Sequence, residues 1–262
     1  MNAGLSESSP TMPAVLAASL AKFGHRPAIV EGDTRLTWND VAEMREQAAR
    51  ALIAIGARHG DRIAIWAPNI HEWIIAGMAI QSIGAVLVPI NTRFKGREAA
   101  DVLIRSRARY LLTVDEFLGI RFCDLLEDAQ LPDLQKVILL RGQGGLSWAE
   151  FIDTGRSVST DELRQYERRV SSDDIADIMF TSGTTGKPKG AIHTHTSNIA
   201  GIQTFNSILG LTEHDRYVIV PPFFHNFGYK SGWWLSALAG ACIYPMATFD
   251  LHKLVSLVQL NG

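Results

Sequence analysis

The stretch DRIAIWAPNIHEWIIAGMAIQSIGAVLVPIN, residues 61–91, holds two short apolar runs on either side of a longer one. DRIAIWAPN reads as a strand ending in a Pro-Asn turn, HEWIIAGMAIQSIG as a helix stopped by Gly84, and AVLVPIN as a buried strand. Residues 73–90 also have the length of a short membrane span, but Gln81, Ser82 and Gly84 interrupt them, so helix, glycine stop and strand is the better reading. These strands show little polar interleaving, the mark of a parallel sheet covered by helices on both faces.

The alternation continues in both directions. Upstream, RPAIVEGDTRLTW (26–38) reads as two strands around the turn Gly32-Asp33. Thr37 lies three residues before Asp40, a cap for the helix NDVAEMREQAARALIAIG, whose Gly56 suits a left-handed stop. Downstream come a helix in GREAADVLIRSRA and a strand in RYLLTV. A looser stretch over 115–173, with the strand candidate LPDLQKVILLRG, the pair Gly144 and Gly145 and the charged run DELRQYERR, is expected to connect two sheet subdomains. The alternation resumes with strands in DIADIMF and GAIHTH, a helix in TSNIAGIQTFNSIL, a strand in RYVIVPP, a helix through WWLSALAG and a strand in ACIYPMA. FDLHKLVSLVQLNG then starts a helix. The fold class is α/β, with parallel or mixed sheets flanked by helices. ACIYPMA is expected to leave an apolar strand edge.

Residues 1–14 read as a flexible tail without the basic head and long apolar core of a signal peptide, which points to the cytoplasm; 15–262 form the folded part. The chain has 262 residues, 47% of them hydrophobic, enough for a substantial core. A net charge of −2 and the lack of long like-charge runs argue against nucleic acid and anionic membranes as partners. Cys123 and Cys242 stand alone, with no CxxC, and read as two packed thiols in a reducing compartment.

TSGTTGKPKG, residues 181–190, sits between two apolar strands. It is not an NTPase P-loop, because Thr181 stands where the first glycine belongs and Pro188 follows Lys187. Nor does the spacing of Gly183, Gly186 and Gly190 match the dinucleotide fingerprint. What remains is a turn offering backbone N–H groups, the hydroxyls of Thr181, Ser182, Thr184 and Thr185, and the ammonium groups of Lys187 and Lys189, a set suited to phosphates. The plainer alternative is a surface hairpin punctuated by Gly and Pro. A second segment, PPFFHNFGYKSGWW (221–234), is either a strand end and aromatic core with His225 as a satisfied core histidine, or part of a site. His193 and His195 alternate on a strand-like segment, but no third ligand accompanies them, and no metal site is assigned to this chain's own residues. Ser197 and Asn198 are expected to help start the next helix. Trp66, Trp73, Trp233 and Trp234 read as core or pocket wall.

TSGTTGKPKG, together with RPAIVEGDTRLTW, GDRIAIWAPN, GAVLVPINTR and PPFFHNFG, resembles the AMP-forming synthetases: acyl- and aryl-CoA ligases, luciferases and peptide-synthetase adenylation domains. The resemblance runs from about residue 15 onward. It implies a reaction in which ATP and a carboxylic acid give an acyl-adenylate and pyrophosphate, after which CoA takes the acyl group as a thioester. It implies that Thr181, Ser182, Gly183, Thr184, Thr185, Gly186, Lys187 and Lys189 hold the β- and γ-phosphates. It further implies that Phe224, His225, Asn226 and Gly228 line the acyl site and that Lys189 and His225 serve catalysis. Peptide-synthetase domains carry an acidic residue after the aromatic segment; Phe227-Gly228-Tyr229-Lys230 has none, which favours the CoA-ligase branch. HNFGYKSG, PNIHEW and PINTRF are similar to ligases of fatty acids and of propanoate side chains on degraded steroid rings. Family members are much longer, and the stretches that hold adenine and ribose and supply the Mg²⁺-binding Glu, and the mobile C-terminal domain, have no counterpart here. The chain therefore reads as the front half of a ligase, inactive alone. A non-catalytic nucleotide-binding or interaction module, a peptide-synthetase-type adenylation domain and an ATP hydrolase stay as alternatives.

Overall fold

The computed structural model describes residues 10–181 and 188–261. In chain order the first part comprises α1 (Met12–Phe23), β1 (Pro27–Glu31), β2 (Thr34–Thr37), α2 (Trp38–Ala54), β3 (Arg62–Trp66), α3 (His71–Ser82), β4 (Val86–Pro89), α4 (Gly96–Ser106) and β5 (Tyr110–Val114). Then come β6 (Glu116–Phe117), β7 (Ile120–Arg121), β8 (Lys136–Arg141), β9 (Leu146–Ser147), α5 (Trp148–Thr154) and α6 (Thr160–Arg169). The last part comprises β10 (Ile175–Thr181), β11 (Lys189–Thr194), α7 (His195–Leu209), β12 (Arg216–Ile219), α8 (Asn226–Gly228), a π-helical turn (Tyr229–Trp234), α9 (Leu235–Ala239), β13 (Cys242–Pro245) and α10 (Leu251–Asn261).

Local chemistry sets these elements. Thr37 and Asp40 form a reciprocal capping box that starts α2. The helix ends at Gly56, whose φ of 99° needs a residue without a Cβ. α2 lays Trp38, Val41, Ala48, Ala49 and Leu52 into the core. α3 is apolar on every side and accordingly buried along almost its whole length; with β4 it accounts for residues 73–90, so that stretch is not a span. Among the described residues no helix is long and apolar enough to cross a membrane.

The strands form a seven-stranded sheet in the order β11-β10-β4-β3-β5-β8-β9 and a four-stranded sheet in the order β12-β13-β1-β2. The interior is parallel, as the buried apolar strands require, while the hairpins β1-β2 and β10-β11 are antiparallel. Two expectations change. The 115–173 stretch does not join two sheets: β8 and β9 extend the sheet that already holds β3, β4 and β5, and β10 returns to pair with β4. Its charged run is α6, which buries Leu163 and sends Glu167 to the buried Arg45 of α2. And β13 is no edge, because β12 and β1 flank it; the edges of that sheet are β12 and β2. Strand order in a sheet is set by crossovers, which the order of strands along the chain does not reveal.

Candidate active site

β10 and β11 are the two stems of the glycine turn. Thr181, the last residue of β10, faces Lys189, the first of β11, and the Thr181 hydroxyl lies 3.5 Å from the Lys189 carbonyl oxygen. Both side chains are exposed. Ser182, Gly183, Thr184, Thr185, Gly186 and Lys187 lie outside the described residues. Arg105 of α4 braces the far stem: its guanidinium donates to the Pro188 carbonyl at 2.5 Å and lies over the Phe180 ring. Nothing in the sequence of α4 distinguishes Arg105 from its other surface charges.

The aromatic segment is held by backbone chemistry. The buried side chain of Asn69, in the turn after β3, donates to the carbonyls of Ile219 and Pro221 and accepts from the Phe223 N–H at 2.8 Å. Gly228 packs so closely that an added Cβ would lie 2.3 Å from the carbonyl oxygens of Pro221 and Pro222, so only glycine fits. Phe224 is half-buried, while His225 and Asn226 are exposed at the start of α8. His225 Nδ1 accepts from the Phe227 N–H, which makes Nε2 the donor of the ring. Beneath lie Trp73, Phe223, Tyr229, Trp233 and Trp234, all buried and in mutual ring contact, which places these tryptophans in the core.

Between these segments sits Asp177, fully buried on β10. Its carboxylate accepts from His193 Nδ1 (2.8 Å), Asn198 Nδ2 (2.5 Å) and Tyr229 Oη (3.3 Å), and Lys230 Nζ lies 3.2 Å away. Lys230 is therefore a paired, nearly buried cation rather than an open grip for substrate. Burial lowers the Lys230 pKa, with the Asp177 charge opposing. Burial, and then the same carboxylate, push the Tyr229 hydroxyl well up, so it remains a donor. Gln81 of α3 closes the network by donating to Tyr229 Oη at 2.6 Å and accepting from the Trp234 indole. A carboxylate inside the apolar run DIADIMF was the available signal, since a buried acid needs partners.

His193 and His195 do not share a strand face. The strand ends at Thr194, which caps α7 through Ser197, so His195 is the first helical residue and is buried, accepting from the Met12 N–H at 3.2 Å. Ser197 starts the helix as expected, whereas Asn198 turns to Asp177. One cluster among the described residues has metal-like spacing, Glu31, His71 and Glu72. Arg141 lies 2.8 Å from Glu31 and 2.7 Å from Glu72, which makes it an ion-pair junction. Burial works to raise the Glu31 carboxyl, but hydrogen bonds from His71 and the Arg141 charge outweigh it.

Residues 16–261 match the family model described as AMP-binding enzyme. The chain belongs to that family. This AMP-binding protein is 35% identical over 263 residues to a 3-[(3aS,4S,7aS)-7a-methyl-1,5-dioxo-octahydro-1H-inden-4-yl]propanoyl:CoA ligase of Rhodococcus jostii, covering 97% of this chain and 51% of the relative. It is 38% identical over 247 residues to the Mycobacterium tuberculosis ligase of the same name, covering 93% and 48%. The inhibitor-bound N-terminal domain of FACL13 from Mycobacterium tuberculosis superimposes with a TM-score of 0.82 at 28% identity, over 95% of this chain and 60% of that one. The AMP-binding chain thus spans about half the length of the curated relatives it matches.

Proposed function

We propose that this chain forms the phosphate- and acid-handling part of an AMP-forming carboxylic acid–CoA ligase, acting in the cytoplasm on a fatty or steroid-derived acid. The observation that carries the reading is a junction. β10 leads into the glycine turn at Thr181, and the segment bearing His225 is tied to that same strand through Asp177. The strand that enters the turn and the apolar, aromatic-backed segment are thereby joined. The two bacterial relatives named above act on a bicyclic propanoate, which supports a steroid-derived acid.

In the first step a carboxylate oxygen of the acid bonds to the α-phosphorus of ATP, the bond from that phosphorus to the bridging oxygen breaks, and pyrophosphate leaves. Lys189 and the donors assigned to the turn stabilise the charge that gathers on the leaving phosphates. His225 offers its Nε2–H to the acid or to the adenylate. In the second step the CoA sulfur bonds to the acyl carbon and AMP leaves. Mg²⁺ serves such chemistry, but the described residues do not fit it: Asp177 is consumed by His193, Asn198, Tyr229 and Lys230, and the Glu31–Glu72 pair by Arg141.

The test is exchange of labelled pyrophosphate into ATP by the full-length protein, with fatty acids and bicyclic propanoates offered one at a time. Acid-dependent exchange is expected. ATP hydrolysis without any acid, or ATP binding with no exchange for any acid, overturns the reading, the latter in favour of a non-catalytic nucleotide module.

A further inference from the structure

Asp177 is placed where no apolar strand needs an acid. It is fully buried in the second strand of the seven-stranded sheet, opposite Leu87 of β4 on one side and His193 of β11 on the other. Its partners come from three elements: His193 from β11, Asn198 from α7, and Tyr229 and Lys230 from the π-helical turn. Among the described residues, Asp177–Lys230 is the one ion pair joining the strand that leads into the glycine turn to the segment that carries His225. The connection onward is short at both ends. Thr181 is four residues along β10 from Asp177 and on the same face, by the two-residue period of a strand. Tyr229, next to Lys230, donates its backbone N–H to the His225 carbonyl at 2.9 Å.

Stability does not require this arrangement. A buried ion pair is commonly no better for folding than well-packed apolar residues of similar volume, because desolvation offsets the attraction. Its geometric effect is different. A carboxylate with four directional partners fixes their relative positions more narrowly than apolar packing, which tolerates sliding. A π-helical turn, uncommon in itself and frequent at functional sites, delivers two of the four partners.

We propose that Asp177, through Lys230, is a positioning residue that sets the separation between Thr181, where β10 ends, and His225, and so between the phosphates and the acid in the adenylation step. The inference rests on the ligase reading. Asp177 touches neither substrate; it acts through Thr181 on one side and through Tyr229 and His225 on the other. Misplacing one reactant against the other lowers turnover at saturation more than it lowers the binding of either.

The experiment measures pyrophosphate exchange by full-length wild type, Asp177→Asn, Lys230→Met and the double variant, at a temperature where urea melts show each to be folded. Wild-type exchange is measured first, so a failure of the ligase reading shows there and is separate from a failure of this one. The expected result is a loss in kcat of about tenfold or more in each single variant, with the KM for ATP and for the acid each changed by less than about threefold. The double variant should lose no more than the worse single, since both remove the same link. Should Asp177→Asn not fold, Lys230→Met decides alone, because it keeps the three other hydrogen-bond donors to Asp177. Lys230→Arg, which retains the pair, should keep most of the exchange. Folded variants with wild-type kcat, a loss confined to KM, or losses that multiply in the double variant would each overturn the proposal.

Discussion

Asn69 and Phe223 are 154 positions apart in the chain, yet the Asn69 Oδ1 accepts the Phe223 backbone N–H at 2.8 Å while its Nδ2 donates to two carbonyls of the same segment. One amide thus binds three backbone groups ahead of His225, of which the Ile219 carbonyl also accepts from the Met246 N–H. Asn69→Ala is expected to cost about 1–3 kcal/mol in urea unfolding, since the Phe223 N–H stays buried without a partner. An unchanged unfolding midpoint would show that the segment holds itself.

His195 supplies a pH dependence with a definite sign. Burial lowers its pKa from 6.5 to about 4, while the charges of Asp174 and Asp177 act in the other direction. The unfolded chain therefore binds the proton first as pH falls. The stability from a neutral His195 is complete above the unfolded value and is lost progressively from there down to the folded one, by about 3 kcal/mol in all. His195→Asn, whose amide oxygen can still accept from the Met12 N–H, should unfold with a shallower acid dependence over that window. Identical pH profiles for the two proteins would remove His195 from the account.

For the glycine turn, Thr185→Ala combined with Lys189→Ala should lower pyrophosphate exchange in the full-length protein on the order of a hundredfold. Folding stability should change by less than about 0.5 kcal/mol, the size expected where a substitution removes no cap and no buried network. Lys189 is exposed at the start of β11, which satisfies that condition. Normal exchange in a normally stable double variant would sink the assignment of phosphates to this turn.

His225→Ala should act on the acid. With His225 exposed and its Nδ1 taken by the Phe227 N–H, the KM for the carboxylic acid is expected to rise about tenfold while the KM for ATP moves by less than about twofold. Steady-state kinetics with each substrate varied in turn separates the two. A collapse in ATP affinity at normal acid dependence would reverse the division of labour between the turn and the aromatic segment.

Much of the architecture was legible because it is written in local periodicity and end signals. The Thr37–Asp40 box, the glycine stop after α2 and the apolar runs of β3, α3, β4 and β5 all act within a few residues, so the chain carries them in order. The two stems of the glycine turn were legible for the same reason, and so was a segment around His225 rich in buried aromatics.

What the sequence could not decide were pairings between distant positions. Nothing local says that β13 enters between β12 and β1, that β8 and β9 prolong the sheet of β3, or that Asn69 reaches across to Phe223. Such partners depend on which crossover the chain takes. Lys230 makes the point at the scale of a side chain: by composition it was a lone cation where a related enzyme branch has an acid, and only the sheet that brings β10 under the π-helical turn makes it the partner of Asp177. Hydrophobic periodicity determines which residues leave water; it carries no information on which buried polar group meets which, because that choice is made by distances between elements rather than along them.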